Sequence, residues 1–362
     1  MKILQVITSM HIGGAEKLIT EITPFLRDKG HQVDVLLFDG TETAFKQSLI
    51  NKGICVYEFA KGGSVYNPLH IFRLLPFLKK YDIVHTHNTA PQLFAAIDSV
   101  LCSVVLVTTE HNTANRRRGW WWYRLIDRWM YNRYQSVICI SDAAENNLKR
   151  YLDHYHTNIT TIYNGVNLQS FIDAKAEMAL KQQAAGRVVV AMVAGFRYQK
   201  DQDTLIESFG YLPKDKYELW LIGDGERRKV LEQLVDEKDL KGNVHFLGLR
   251  NDIPQILKAA DIVVMSSHFE GLSLSSIEGM AVGRPFIASD VDGLREITNG
   301  AGILFPHGDA RQLAKEIEQL MDDGEYYKNV ADRCMKRAKK YDISKMVNEY
   351  ERIYVDLIDI RI

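Results

Sequence analysis

Cysteine, long apolar runs and an excess of either charge are all scarce in this 362-residue chain. The four cysteines, Cys55, Cys102, Cys139 and Cys334, stand too far apart to form a metal-ligand cluster or the disulfide framework of a small secreted domain. Cys55, Cys102 and Cys139 lie in apolar runs and read as reduced core residues, which points to the cytosol. The most apolar run, residues 100–107, is far shorter than the roughly 20 residues that span a bilayer. Gln5 and Thr8 interrupt the N-terminal apolar stretch, so no signal-peptide core is expected there. The net charge of −1 excludes a global attraction to nucleic acid or anionic membrane; any such attraction must be local. No low-complexity tract or short-period repeat is present. What remains is ordinary globular composition, 46% hydrophobic and 25% charged, with length enough for two domains.

The most informative stretch is residues 268–289. An apolar strand at 261–265 feeds a tight loop, Glu270-Gly271-Leu272-Ser273. A helix is expected from about Leu274 to Val282, stopped by Gly283. Arg284-Pro285 then leads into a second apolar strand. This is the unit of a parallel α/β sheet. The loop offers backbone N–H groups from Gly271 to Leu274 at the positive end of a helix, an anion site that suits phosphate. The helix dipole supplies only ~0.3–1 kcal/mol at an exposed site, so other groups must contribute. Glu270 and Glu278 would repel a phosphate unless they address ligand hydroxyls, for which a carboxylate is a strong acceptor. Phosphates in the middle and hydroxyls at both ends describe a nucleotide sugar.

The spacing E-x7-E, with Gly after the first glutamate, resembles the donor-site motif of retaining GT-B glycosyltransferases, in particular their family 4. That resemblance implies two Rossmann-like α/β domains facing a central cleft. It also implies that Glu278 holds the ribose and Glu270 the transferred sugar. Read alone, Glu278 is equally a solvated helix carboxylate and Glu270 a helix cap.

Earlier in the chain, a strand, the loop with Gly13-Gly14, a helix to Asp28 and a second strand make a Rossmann-like start. Without G-x-G-x-x-G, the glycines alone indicate a tight turn. By the resemblance, Gly13 and Gly14 lie near the donor phosphates. A strand at 81–84 ends in His85-Thr86-His87; no third ligand accompanies this H-x-H, and both histidines are expected at the edge of the cleft. The strand at 104–109 carries His111 just past its carboxyl end, where open α/β sheets bind ligands. The family has a histidine there that points at the donor sugar.

Residues 116–134 hold six arginines and four tryptophans against one acid, Asp127. Trp122, Leu125, Ile126, Trp129 and Met130 share one helical face, flanked by arginines, as in an interfacial membrane helix. From Arg116 to Tyr134 this stretch is expected to meet the membrane or a lipid-linked acceptor. A helix packed on its own domain is the simpler alternative. Single-stranded nucleic acid is the remaining one and is not expected as a partner.

In the second half, Gly195 to Asp201 joins a strand to a helix and carries Arg197 and Lys200. Lys200 matches the family's lysine that neutralises the leaving diphosphate. Arg197 departs from the pattern, because the family's arginine position falls at Gly195 here. The backbone after a strand at 244–247, at Leu249 and Arg250, is where the family meets the nucleotide base. The triplets Asp201-Gln202-Asp203 and Asp290-Val291-Asp292 sit at strand-to-helix turns and are expected to cap helices, so no metal and no cofactor are expected. The expected domains are 1–172, 187–342 and a helix, 343–362, that returns to the first; 173–186 reads as the connection.

Taken together, these motifs imply a retaining, metal-independent transferase in surface polysaccharide synthesis. It would move a sugar from a UDP-sugar to a hydroxyl of a lipid-linked glycan, at the cytoplasmic face of the membrane. A nucleotide-sugar epimerase of the same fold, or a non-catalytic sugar-binding protein, are the rival readings.

Overall fold

The computed structural model describes residues 1–11, 13–111, 121–153, 155 and 157–360, with the side chains of Trp121 and Trp122 left aside. The chain forms two compact units. One comprises Met1–Asn164 with Ile343–Ile362, the other Gly165–Asp342.

The first unit is built on a parallel sheet of seven strands. They are β1 (Lys2–Ile7), β2 (Gln32–Asp39), β3 (Val56–Ala60), β4 (Ile83–His87), β5 (Val105–Glu110), β6 (Ser136–Cys139) and β7 (Asn158–Thr161). Their order is β3-β2-β1-β4-β5-β6-β7. Central strands of such a sheet are buried on both faces, which is why most of β1 and the first residues of β4 (Ile83-Val84) and β5 (Val105-Leu106-Val107) are apolar without alternation. Leu18, Ile22 and Leu26, on one face of the helix Gly14–Asp28, pack in one cluster with Tyr350 and Tyr354 of the helix Ile343–Asp359. Truncating one such buried leucine or isoleucine to alanine removes about 2–5 kcal/mol.

The second unit holds six parallel strands. They are β8 (Val188–Val193), β9 (Tyr217–Ile222), β10 (Val244–Gly248), β11 (Ile262–Met265), β12 (Phe286–Ser289) and β13 (Ile303–Phe305). Their order is β10-β9-β8-β11-β12-β13. In each sheet the order reverses beside the first strand, between β1 and β4 and between β8 and β11. The carboxyl ends of the strands at such a reversal point are where open α/β sheets bind ligands.

Several sequence expectations change here. β4 runs on through His85 and His87, and both rings are fully buried rather than at an edge. Cys55 is exposed and Cys102 half-buried, so of the three cysteines expected in the core only Cys139 is there; Cys334 is buried as well. The first unit stops at Asn164, short of residue 172. Val166, Leu168 and Phe171 pack into the second unit's core, and Val166 N–H donates to the carbonyl of Tyr341 at 2.8 Å. The connection read at 173–186 contains a helix, Met178–Gln183, whose Leu180 rests on that same core.

Candidate functional site

In the second unit the site is assembled from the loops that follow β8 and β11. After β8, a turn of 3-10 helix, Tyr198–Lys200, leads to Asp201 and the helix Gln202–Ser208. After β11 come Ser266 to Ser273 and the helix Leu274–Ala281. The two loops are tied together by their own hydrogen bonds. His268 N–H donates to the carbonyl of Gln199 at 2.8 Å, and the Gln199 amide donates to the carbonyl of Phe269 at 2.9 Å. The Ser266 hydroxyl donates to the carbonyl of Asp201 at 2.7 Å. The Tyr198 and His268 rings lie 4.5 Å apart.

This frame brings Lys200 and Glu270 together. The Lys200 ammonium donates to Glu270 Oε1, and the Ser267 hydroxyl donates to the same oxygen at 2.7 Å. The Glu270 side chain is only 7% exposed and that of Lys200 21%. A carboxylate so far from water needs such partners. Gly293 holds the other side of the loop. It adopts φ +81°, and a Cβ there would stand 2.4 Å from the carbonyl oxygens of both Glu270 and Gly271. Only glycine lets the 290–293 turn approach that backbone so closely. Gly271 itself faces open space.

Ser273 caps the helix Leu274–Ala281 by accepting from the Ser276 N–H at 3.4 Å. The first N–H groups of the helix have no intrahelical carbonyl to bond, which gives this end its anion-binding character. Glu278 lies one turn in and is 6% exposed. Gly283, with φ +74°, ends the helix in the left-handed conformation expected of it. Arg197 is exposed and makes no ion pair among the described residues. Leu249 and Arg250 follow β10 at the sheet's edge. Leu249 is 77% exposed, and Arg250 forms a two-armed pair with Asp252 at 2.8 and 2.5 Å.

The two aspartate triplets part company. Asp201 caps its helix, accepting from the Thr204 N–H at 3.3 Å and the Thr204 hydroxyl at 2.7 Å. Asp290 and Asp292 do not cap; they pair with Arg295 at 2.5 and 3.2 Å, and Gly293 occupies the N-cap of the helix Leu294–Thr298. The guanidinium follows one turn later and outcompetes the backbone for both carboxylates. Asp201, His268 and His307 also converge, with His268 Nδ1 3.6 Å from Asp201 Oδ2 and 2.6 Å from His307 Nε2. Two nitrogens held at ~2.0–2.1 Å by one tetrahedral zinc stand about 3.3 Å apart. The 2.6 Å separation is that of a hydrogen bond between the rings.

In the first unit, Gly13 is the N-cap of the helix Gly14–Asp28, in extended backbone after β1. His111 follows β5. Its Nε2 lies 2.9 Å from His87 Nδ1, and His87 Nε2 lies 2.8 Å from Gln5 Oε1. Burial pushes the His111 imidazole down to about 4, and that of His85 to about 3, with His87 held well below the usual histidine range. All three rings are therefore neutral at physiological pH. Glu110, the last residue of β5, accepts from the Gln92 amide at 2.8 Å and the Tyr131 hydroxyl at 2.5 Å. The link from His111 to Gln5 escaped the sequence. The signal was available: His85 and His87, two apart on one strand, must share a face.

Residues 116–120 of the Arg/Trp-rich stretch lie outside the described residues. The helix Trp121–Tyr131 divides the rest. Met130, expected on the outward apolar face, is buried with Tyr131 and Tyr134 in the unit's core. Leu125, Ile126 and Trp129 stay exposed, at 60%, 40% and 43%. Arg124 and Arg128 both reach Asp153, at 3.3 and 3.2 Å, so part of the positive charge is answered within the protein. Among the described residues no helix is long and apolar enough to cross a membrane.

Solved structures share this architecture. One is HepE of Anabaena in complex with UDP, 24% identical over 98% of this chain and all of that one, with a TM-score of 0.84. Another is sucrose-phosphate synthase of Thermosynechococcus elongatus, 20% identical over 99% of each chain, with a TM-score of 0.74. The two Rossmann-like parallel-sheet units are those of the GT-B fold of glycosyltransferases. Residues 12–170 match the family model described as Glycosyltransferase Family 4, and residues 175–341 that described as Glycosyl transferases group 1. The chain belongs to this family of glycosyltransferases and is a transferase. Relatives include the UDP-Gal:alpha-D-GlcNAc-diphosphoundecaprenol alpha-1,3-galactosyltransferase of Escherichia coli, 26% identical over 80% of this chain and 79% of that one. The phosphatidyl-myo-inositol mannosyltransferase of Mycolicibacterium smegmatis is 24% identical over 94% and 90%.

Proposed function

We propose that this protein is a retaining, metal-independent glycosyltransferase that moves a sugar from a UDP-sugar to a hydroxyl of a lipid-linked glycan in surface polysaccharide synthesis. The observation that carries the reading is the Lys200–Glu270 pair at the reversal point of the second sheet, just ahead of the Ser273-capped helix. Lys200 turns to the leaving diphosphate when the donor binds, joined by Arg197 and the amides of Leu272, Ser273 and Leu274. Groups fixed where charge develops are the main source of rate acceleration in such reactions. Glu270 is left to the hydroxyls of the transferred sugar, Glu278 to the ribose, and Leu249 and Arg250 to the base. His111 addresses the donor sugar, with Gly13 and Gly14 near the phosphates. UDP in HepE and the UDP-Gal and diphosphoundecaprenol in the name of the E. coli relative support the choice of donor and acceptor. The paired carboxylates of glycosidases have no counterpart in this scheme. The acceptor attacks on the face the leaving group vacates, and the phosphate takes its proton.

Turnover is expected to persist in a chelator, because side chains and amides carry the neutralising charge. Loss of activity in chelator, restored by a divalent ion, would reassign Asp201, His268 and His307 to a metal.

The protein works at the inner face of the membrane, held there by Leu125, Ile126 and Trp129 with neighbouring arginines. Basic side chains near anionic lipid contribute ~1 kcal/mol each, and the exposed apolar trio adds its own burial. Replacing the trio by serine should lower flotation with anionic liposomes while leaving the melting temperature and hydrolysis of free UDP-sugar nearly unchanged. Flotation equal to wild type would remove the membrane contact from the account.

A further inference from the structure

The buried polar chain behind His111 has a direction. Gln5 Oε1 only accepts and Gln5 Nε2 only donates. His87 Nε2, 2.8 Å from Gln5 Oε1, must therefore carry its hydrogen, which leaves His87 Nδ1 bare. His111 Nε2, 2.9 Å from that bare nitrogen, must donate to it. A neutral imidazole has one hydrogen only, so His111 Nδ1 is bare in turn, and it has no partner among the described residues. On the other side of Gln5, its amide donates to the Tyr354 hydroxyl at 3.5 Å. The Tyr354 hydroxyl meets His85 Nδ1 at 2.5 Å, His85 Nε2 meets the Thr109 hydroxyl at 2.8 Å, and Thr109 meets the Tyr350 hydroxyl at 3.2 Å. The chain is anchored in the C-terminal helix, and every ring in it is buried or half-buried.

We propose that His87 and Gln5 are positioning residues that hold His111 in its Nε2–H tautomer, so that its bare Nδ1 is presented as a hydrogen-bond acceptor to a hydroxyl of the donor sugar. This rests on the reading that His111 addresses the donor. The opposite tautomer of His111 alone would set two lone pairs against each other across 2.9 Å. The arrangement makes His111 an acceptor in the ground state, free to receive a proton but with none to give from that nitrogen. It also gives the C-terminal helix a part in the site, through Tyr354 and Gln5.

The test is nitrogen NMR of the ligand-free protein labelled in histidine, with the His111 signals assigned by their loss in His111→Ala. The expected spectrum at neutral pH shows His111 Nε2 protonated and Nδ1 not. His87→Asn, whose side-chain oxygen can take the place of Nδ1 as acceptor, should keep that pattern. His87→Phe, which offers no acceptor, should shift His111 toward the other tautomer. It should also lower kcat by up to ~10²-fold, with the affinity for free UDP unchanged. A His111 ring protonated at Nδ1 in the wild-type protein overturns the proposal, whether or not the variants fold. So does an unaltered His111 spectrum in folded His87→Phe. If the spectra come out as expected but His111→Ala turns over at the wild-type rate, the tautomer stands and the donor contact of His111 falls.

Discussion

Replacing Lys200 by alanine should lower kcat by about 10²–10³, the usual loss when one fixed group that stabilises developing charge is removed. Lys200 is paired with Glu270, and its loop is tied to the Glu270 loop by hydrogen bonds through Gln199, Asp201, Ser266 and His268. The substitution has a second effect. Glu270 keeps only the Ser267 hydroxyl from its present pair of partners, in a place where its side chain is 7% exposed. Leaving a charge buried without its counter-ion is destabilising, by up to about 3–5 kcal/mol for a fully buried pair. A thermal melt run beside the kinetics separates the two effects. Lys200→Arg restores charge but not shape, because a planar guanidinium cannot replace a compact ammonium in this loop. It should recover stability more than rate. A Lys200→Ala variant that is folded and turns over at the wild-type rate would take the lysine out of the chemistry.

The second large effect belongs to Glu278. Its alanine variant should bind free UDP about tenfold to a hundredfold more weakly, since a hydrogen bond to a charged group contributes ~1.5–3 kcal/mol. Calorimetry with UDP reads this directly. Glu270→Ala should instead lose mainly kcat, because the sugar end is where bonds change. Equal UDP affinity in wild type and Glu278→Ala would remove the ribose assignment.

The parallel sheets were legible because their buried strands are apolar runs, and the helix after the Glu270 loop because Gly283 marks its end. The pairing of Lys200 with Glu270 was half legible. Both residues stood out, yet each was assigned to a different part of the ligand, and only the adjacency of β8 and β11 brings them into contact. Adjacency of strands far apart in the chain leaves no local trace. β4 was cut short because His85, Thr86 and His87 are polar, and polar residues inside a buried strand are betrayed only by partners elsewhere, here Gln5, Thr109 and Tyr354. The Asp290 and Asp292 reading failed for a local reason: Arg295 lies close enough to claim both carboxylates. In residues 121–131 the apolar face was visible, but Met130 and Tyr131 turn inward while Leu125, Ile126 and Trp129 do not. A hydrophobic stripe shows that a face is apolar and not which part of it the core covers.

The central claim is tested most directly by incubating the protein with a panel of nucleotide sugars and a lipid-diphosphate-linked acceptor. Nucleoside diphosphate release is followed, and the configuration of the new glycosidic bond is read by NMR. The account predicts release of UDP from a UDP-sugar and a bond with the same anomeric configuration as the donor. An inverted bond, a sugar nucleotide epimerised without any transfer, or no release from any donor would contradict it.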